Sequence, residues 1–150
     1  MKASAQSLCN NILMRAHRES IDVTPMKLQK LLYYVCTKYV QETGISPIME
    51  YFAVWKYGPV IPSVYAEFKP FKAEPIKRFA RNAKGIATIV DEDANPILKN
   101  CIDHVWHKLK LYDGPALAHR THLEGSGWYS AYQKGADLIS MEEMANDTTL

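Results

Sequence analysis

Residues 24–44 constrain the fold more than any other segment of the chain. They open with Thr24-Pro25, a typical helix start, because the hydroxyl can cap a free backbone N–H and proline loses no hydrogen bond there. Apolar residues then recur at helical spacing up to a terminating Gly44. They cover so wide an arc that we expect this helix at the centre of a bundle, with Lys27, Lys30 and Lys38 reaching solvent.

Other segments predict further helices. Residues 4–19, and the segment from Asn95-Pro96 up to Asp113-Gly114, carry apolar positions three and four apart, which form one face of an α-helix. Shorter helices are expected near residues 62–68, 115–123 and 128–133, and after Ser140, which begins a Ser-x-x-Glu capping box. The two longest apolar faces should pack on each other through Leu28, Leu31, Leu32, Ile102, Val105 and Trp106.

Two segments have the composition of strands. Residues 49–57 are rich in aromatic and β-branched side chains and end at Gly58-Pro59, and residues 85–90 form a second short candidate. Pairing these segments would place a small sheet against the helices. The predicted fold is mainly α, in the α+β sense: one domain over residues 1–150, a helical bundle of about five to seven helices with a two- or three-stranded antiparallel sheet.

Composition narrows the class of protein. With 47% hydrophobic and 11% aromatic residues, a chain of 150 residues can bury a single core. The longest apolar run, residues 31–36, is far shorter than the ~20 residues of a membrane span, and the beginning lacks a secretory signal pattern. These features predict a cytoplasmic protein. Its three cysteines, which lie in apolar stripes, are expected to be free thiols in the core.

Positive charge is concentrated in one stretch, although the net charge is only +2. Residues 56–84, hereafter the basic stretch, hold seven Lys or Arg against two Glu. With Phe68, Phe71 and Phe79 interleaved, this stretch could follow a phosphate backbone and stack bases, which leaves a nucleic-acid-binding regulator as one alternative. A charged loop anchored by its aromatic side chains is the competing interpretation.

Histidines supply the only candidate catalytic groups. His119 and His122 could act as bases in a hydrolase or transferase, but the adjacent Thr121 points about 100° away from His122 on a helix and is a poor nucleophile for it. His104 and His107 lack further metal ligands at suitable spacing, and no glycine-rich phosphate loop is present. We therefore predict a protein that is not an enzyme and that holds neither a metal nor a cofactor.

Three groups of residues carry a resemblance to a known family. They are Thr24-Pro25-Met26-Lys27-Leu28-Gln29-Lys30-Leu31-Leu32-Tyr33-Tyr34 (the first block), Trp55-Lys56-Tyr57-Gly58-Pro59-Val60-Ile61-Pro62 with Val64-Tyr65 (the second block), and Thr121-His122 with Trp128. In this order and spacing they resemble the SocA-like family, also called the Panacea domain, with its phage-associated GepA-type proteins. The resemblance covers nearly the whole chain.

The resemblance implies an antitoxin of a toxin–antitoxin system, of a kind commonly encoded on prophages. Such a protein neutralises a cognate toxin by direct protein–protein binding; one branch of the family instead acts as a proteolytic adaptor that delivers its toxin to a bacterial protease. The expected partner is thus a toxin protein, with a protease in the adaptor alternative, rather than a membrane or nucleic acid.

Aromatic residues clustered at a tight turn suggest where the partner binds, because they contribute large contact area at low rotamer cost. The predicted partner-binding residues are Trp55, Tyr57, Pro59, Val60, Tyr65, His122 and Trp128. The competing interpretation for Tyr33, Trp55 and Trp128 is that they only stabilise the core.

Overall fold

The computed structural model describes residues 2–150 and shows a mainly helical fold with a small sheet. The predicted fold class is confirmed. The elements, in chain order, are α1 (Ala5–Glu19), α2 (Pro25–Thr43), β1 (Ala53–Trp55), β2 (Gly58–Val60), α3 (Pro62–Phe68), a 3-10 helix (Lys69–Phe71), α4 (Pro96–Leu109), α5 (Gly114–His122), α6 (Gly127–Gln133) and α7 (Met141–Ala145).

Helix α2 lies at the centre, as predicted, and packs against α1, α4, α5 and α7. Its start follows the sequence signal: the Thr24 side chain accepts a hydrogen bond from the Lys27 N–H, and Pro25 occupies the first turn. The expected contact between α2 and α4 is also confirmed. Six core residues of these two helices are each at most 2% exposed: Leu28, Leu31, Leu32, Ile102, Val105 and Trp106.

The prediction that Lys27 and Lys30 reach solvent is wrong. They are 5% and 2% exposed, and their ammonium groups donate to the carbonyls of Lys110 and Pro59. A surface helix has one polar side, but α2 is covered on several sides, so its lysine stripe is buried as well. Lys38 alone stays partly exposed, with its ammonium 3.3 Å from the Glu42 carboxylate.

The sheet forms within one hairpin rather than between the two predicted segments. β1 and β2 are antiparallel, with Ala53 opposite Val60 and Trp55 opposite Gly58. The predicted strand at residues 85–90 is wrong: this segment runs past α1, where buried asparagine side chains take the place of a strand partner. Asn10 donates to the Thr88 carbonyl at 2.9 Å, and the Val90 N–H donates to the Asn11 side chain at 2.8 Å.

The short helices begin and end close to their predicted bounds. Asp113 caps α5 through the Ala116 N–H, and the capping box predicted at Ser140 is present in α7. The three cysteines are buried and free, as expected. Within residues 2–150, no helix is long and apolar enough to cross a membrane.

Candidate functional site

The surface carries an apolar groove of about 750 Å³. It lies where the first turn of α2, the β1–β2 hairpin, α3 and the 3-10 helix meet. We call it the groove, and its lining residues are Pro25, Met26, Gln29, Lys30, Trp55, Lys56, Tyr57, Val60, Val64, Tyr65, Lys69 and Lys72. The two longest sequence blocks, separated by twenty residues along the chain, therefore line one concave surface.

Three aromatic side chains of the groove remain open to solvent. Trp55 is 38% exposed, Tyr57 58% and Tyr65 43%. The Trp55 and Tyr65 rings meet edge to face, with centroids 5.1 Å apart and an interplanar angle of 71°. Val60 supplies buried apolar surface beside them. A partner that covered these rings would remove a large apolar area from water.

Among the residues that the structure describes, the charged ones that line the groove are all lysines. Lys56 lies in the hairpin turn, Lys69 begins the 3-10 helix and Lys72 follows its end. None of the three forms an ion pair with residues 2–150. The Lys56 ammonium lies 5.5 Å from the Tyr57 ring centre, and that of Lys69 lies 6.0 Å from the Tyr65 ring centre. An apolar surface carrying unpaired positive charge results.

Two side chains of α2 fix the outgoing strand of the hairpin. Gln29 donates to the Ile61 carbonyl at 3.1 Å and accepts from the Ile61 N–H at 2.9 Å. The Lys30 ammonium donates to the Pro59 carbonyl at 3.0 Å, and this is the one side-chain hydrogen bond that Lys30 forms within residues 2–150. Burial away from any carboxylate lowers the pKa of Lys30 from 10.5 to about 7, because desolvation disfavours the charged form.

Two side chains from α5 and α6 fix the incoming strand and the turn. The Trp128 indole N–H donates to the Trp55 carbonyl at 2.9 Å, and the His122 Nε2 lies 2.8 Å from the Lys56 carbonyl oxygen. The His122 Nδ1 lies 2.6 Å from the Ala118 carbonyl oxygen, so backbone carbonyls face both ring nitrogens. The His122 and Trp128 rings are also in contact, with centroids 4.1 Å apart and an interplanar angle of 48°.

Gly58 has a geometric reason to be glycine. Its φ of +110° is rarely adopted by other residues. A Cβ at this position would lie 2.6 Å from the Thr121 Oγ1 and 3.1 Å from the Lys30 Cε. The hairpin turn can therefore approach α2 and α5 closely only without a side chain there.

The structure separates the predicted partner-binding residues into two groups. Trp55, Tyr57, Val60 and Tyr65 line the groove. The others support the hairpin: Pro59 is buried, Trp128 is 6% exposed and His122 bonds to the backbone of the turn. Sequence reasoning missed the remaining lining residues, although the first block contained a signal for Met26, Gln29 and Lys30.

The tyrosines that close the first block have a structural role. Tyr33 and Tyr34 are fully buried, and their hydroxyls reach the C-terminal segment: Tyr33 donates to the Asp147 carboxylate at 2.6 Å, and the Tyr34 hydroxyl lies 2.8 Å from that of Thr149. The interpretation of Tyr33 as a core residue is thus confirmed. The first block combines groove residues in its first turns with core residues after them.

The three phenylalanines of the basic stretch pack against the core. Phe68 is fully buried, and the Arg78 guanidinium lies 5.5 Å and 5.7 Å from the ring centres of Phe68 and Phe71. The same guanidinium contacts the Glu67 carboxylate at 2.7 Å and donates to the Glu67 carbonyl. The phenylalanines at 68 and 71 thus hold the loop to the core, as the competing interpretation proposed.

Comparisons with known proteins agree with the resemblance seen in the sequence. Residues 28–129 match the family described as "Antitoxin SocA-like, Panacea domain", which covers most of the groove and the residues behind the hairpin. A curated relative, Antitoxin SocA of Caulobacter vibrioides, is 26% identical over 130 residues, which cover 83% of this chain and 68% of the relative. No solved structure matches the chain.

Proposed function

This chain belongs to the antitoxin SocA-like family with a Panacea domain, and from that premise we propose that it neutralises a cognate toxin by binding it directly through the groove. The observation that carries the proposal is the convergence of both long sequence blocks on one surface with three exposed aromatic rings. Large aromatic side chains at a concave, well-supported surface are the residues that most often dominate binding energy.

The support behind the hairpin favours a binding role. Hydrogen bonds from Gln29, Lys30, His122 and Trp128 hold the backbone on which the exposed rings are mounted. A surface that is ordered before binding loses less conformational entropy when the partner arrives. In this account, His122 and Trp128 position the hairpin, and Trp55, Tyr57 and Tyr65 contact the toxin.

The direct test is co-expression with the protein encoded by the adjacent gene. We expect that protein to arrest growth alone, and we expect growth and a co-purifying complex when this chain is present. The double variant Trp55→Ala/Tyr57→Ala should fold but lose both effects, because the two side chains are partly exposed and lie in the groove.

Tyr51→Ala is the matched control for the double variant. Tyr51 is 60% exposed, similar to Tyr57, but lies outside the groove, so this variant should still neutralise the toxin. An adjacent gene product that is harmless, or that stays toxic when this chain is in excess, would contradict the proposal.

A further inference from the structure

We propose that the groove binds an acidic segment of the partner that also carries a large apolar side chain. This inference rests on the proposed function, since it identifies the chemistry of the toxin segment that enters the groove. Its carboxylates would contact Lys56, Lys69 and Lys72, and its apolar side chain would contact Trp55, Tyr57 and Tyr65.

Charge supports the acidic part of this proposal. Neither Asp nor Glu is among the residues that line the groove, and its three exposed lysines have no ion-pair partner within residues 2–150. Arg15 shows the opposite case: its guanidinium is 2.7 Å from the Glu92 carboxylate and 2.8 Å from that of Asp103. Residues 2–150 supply carboxylates for Arg15 but none for the groove, which leaves its lysines free to pair with the carboxylates of a partner.

The lining between the lysines supports the apolar part. Met26, Val60 and Val64 join the exposed aromatic rings along the groove. The volume of about 750 Å³ falls within the range of roughly 300–1,000 Å³ typical of binding pockets. A large side chain such as Leu or Phe can therefore be buried there while neighbouring carboxylates stay near the lysines.

The geometry favours a peptide over nucleic acid as the occupant. Bases stack on aromatic faces presented along a groove that follows the backbone. Trp55 and Tyr65 instead meet at 71° and partly cover each other. The lysines border a concave apolar site, whereas a phosphate backbone needs a continuous line of positive charge.

The probe is an end-blocked six-residue peptide with Leu-Phe at its centre and two glutamates on each side. Binding can be followed by tryptophan fluorescence, because Trp55 is exposed whereas Trp106 and Trp128 are buried. Amide chemical shifts should locate the peptide in the groove. The same peptide with lysine in place of glutamate, and a single-stranded oligothymidine, are the comparison ligands; we expect the glutamate peptide alone to bind.

Charge reversal tests the assignment on the protein side. The variant Lys69→Glu/Lys72→Glu should bind the glutamate peptide roughly tenfold more weakly or worse, and it should gain affinity for the lysine peptide. The matched control is Lys77→Glu/Lys84→Glu, which changes net charge equally at exposed lysines outside the groove. The control should bind like the original protein, and thermal unfolding should verify that both variants fold.

Three results would overturn the inference: no binding of the glutamate peptide at millimolar concentration, equal weakening by the two double variants, or preferential binding of the oligothymidine in the groove. Neutralisation in cells separates this failure from that of the proposed function. If the original chain neutralises the toxin but the peptide results fail, the antitoxin role stands and the acidic partner is wrong. If the peptide results hold but no toxin is neutralised, the proposed function is wrong.

Discussion

Two regions of the basic stretch use positive charge in opposite ways. Around Arg78, the chain surrounds a cation with its own carboxylate, carbonyls and aromatic rings. In the groove, Lys56, Lys69 and Lys72 form no ion pair with a carboxylate of residues 2–150. Consecutive basic residues in a sequence therefore do not form a single charged surface. A cation that pairs with a carboxylate of the same chain stabilises the fold, whereas an unpaired cation is available to a partner.

The largest effect expected from this difference is on binding in the groove. Tyr57→Ala should weaken the toxin complex by at least ~2 kcal/mol, or roughly 30-fold in Kd, because truncating an aromatic anchor loses most of its contact area. Its free energy of unfolding should barely change, since Tyr57 is 58% exposed. Toxin affinity and urea unfolding measured on the same variant decide the point. Loss of stability with retained affinity would make Tyr57 part of the fold only.

The Arg78 region should respond in the reverse way. Arg78→Met keeps part of the apolar stem but removes the ion pair with Glu67 and the hydrogen bonds to backbone carbonyls. We expect a loss of about 1–2 kcal/mol in the free energy of unfolding, with toxin affinity unchanged. Denaturant titration measures the first quantity and a binding titration the second. A large fall in affinity without loss of stability would break the distinction between the two regions.

Lys30 sharpens the comparison, because it is a buried lysine that forms no ion pair with residues 2–150. Its pKa of about 7 in the folded protein lies below the 10.5 of an unperturbed lysine, so between these values the unfolded chain binds one more proton than the folded chain. Stability should therefore rise with pH in this window and stay flat below it. Relative to Lys30→Met, the original protein should gain about 1 kcal/mol per pH unit above pH ~7. If the free energies of unfolding of the two proteins changed by the same amount with pH across this range, the burial of a charged Lys30 would not affect stability, and this prediction would be wrong.

The smallest effect concerns the backbone at Lys72. Its φ of +54° and ψ of −119° lie in a region that favours glycine, and the turn is closed by the Glu74 N–H on the Phe71 carbonyl. Lys72→Gly should thus raise the free energy of unfolding by roughly 0.5–1 kcal/mol while it weakens the toxin complex.

Lys69→Gly is the matched control for Lys72. Lys69 also lines the groove but has helical backbone angles, so glycine there should lower stability by a similar amount. Both variants lose one positive charge and should weaken the complex alike. If both destabilise the fold equally, the strain assigned to Lys72 is absent.

Local signals made the helices predictable. A capping side chain followed by proline marks the starts of α2 and α4 within two residues of sequence, and the apolar stripes that follow need no knowledge of distant contacts. Trp55, Tyr57, Val60 and Tyr65 could be predicted as one surface for the same reason, since they lie within eleven residues of each other.

Contacts between distant segments were not predictable in this way. Lys30 and Lys27 can be buried because backbone carbonyls accept hydrogen bonds from their ammonium groups. These carbonyls lie 29 and 83 residues away along the chain. The second strand candidate failed because Asn10 and Asn11 hold residues 85–90 from nearly eighty residues away. Lys69 and Lys72 line the groove only because α3 and the 3-10 helix pack beside the hairpin. The sequence therefore showed one basic stretch, and it did not show which of its cations face the groove and which pair within the fold.

Amide hydrogen exchange of the chain alone and in complex with its toxin tests the central claim most directly. We expect added protection at residues 55–60, in the segment that spans α3 and the 3-10 helix, and at the first turn of α2, because these line the groove. Residues 78–95, which include Arg78 and its surroundings, should exchange alike in both states. Protection confined to residues outside the groove, with exchange at residues 55–60 unchanged, would contradict the assignment of the groove as the toxin-binding surface.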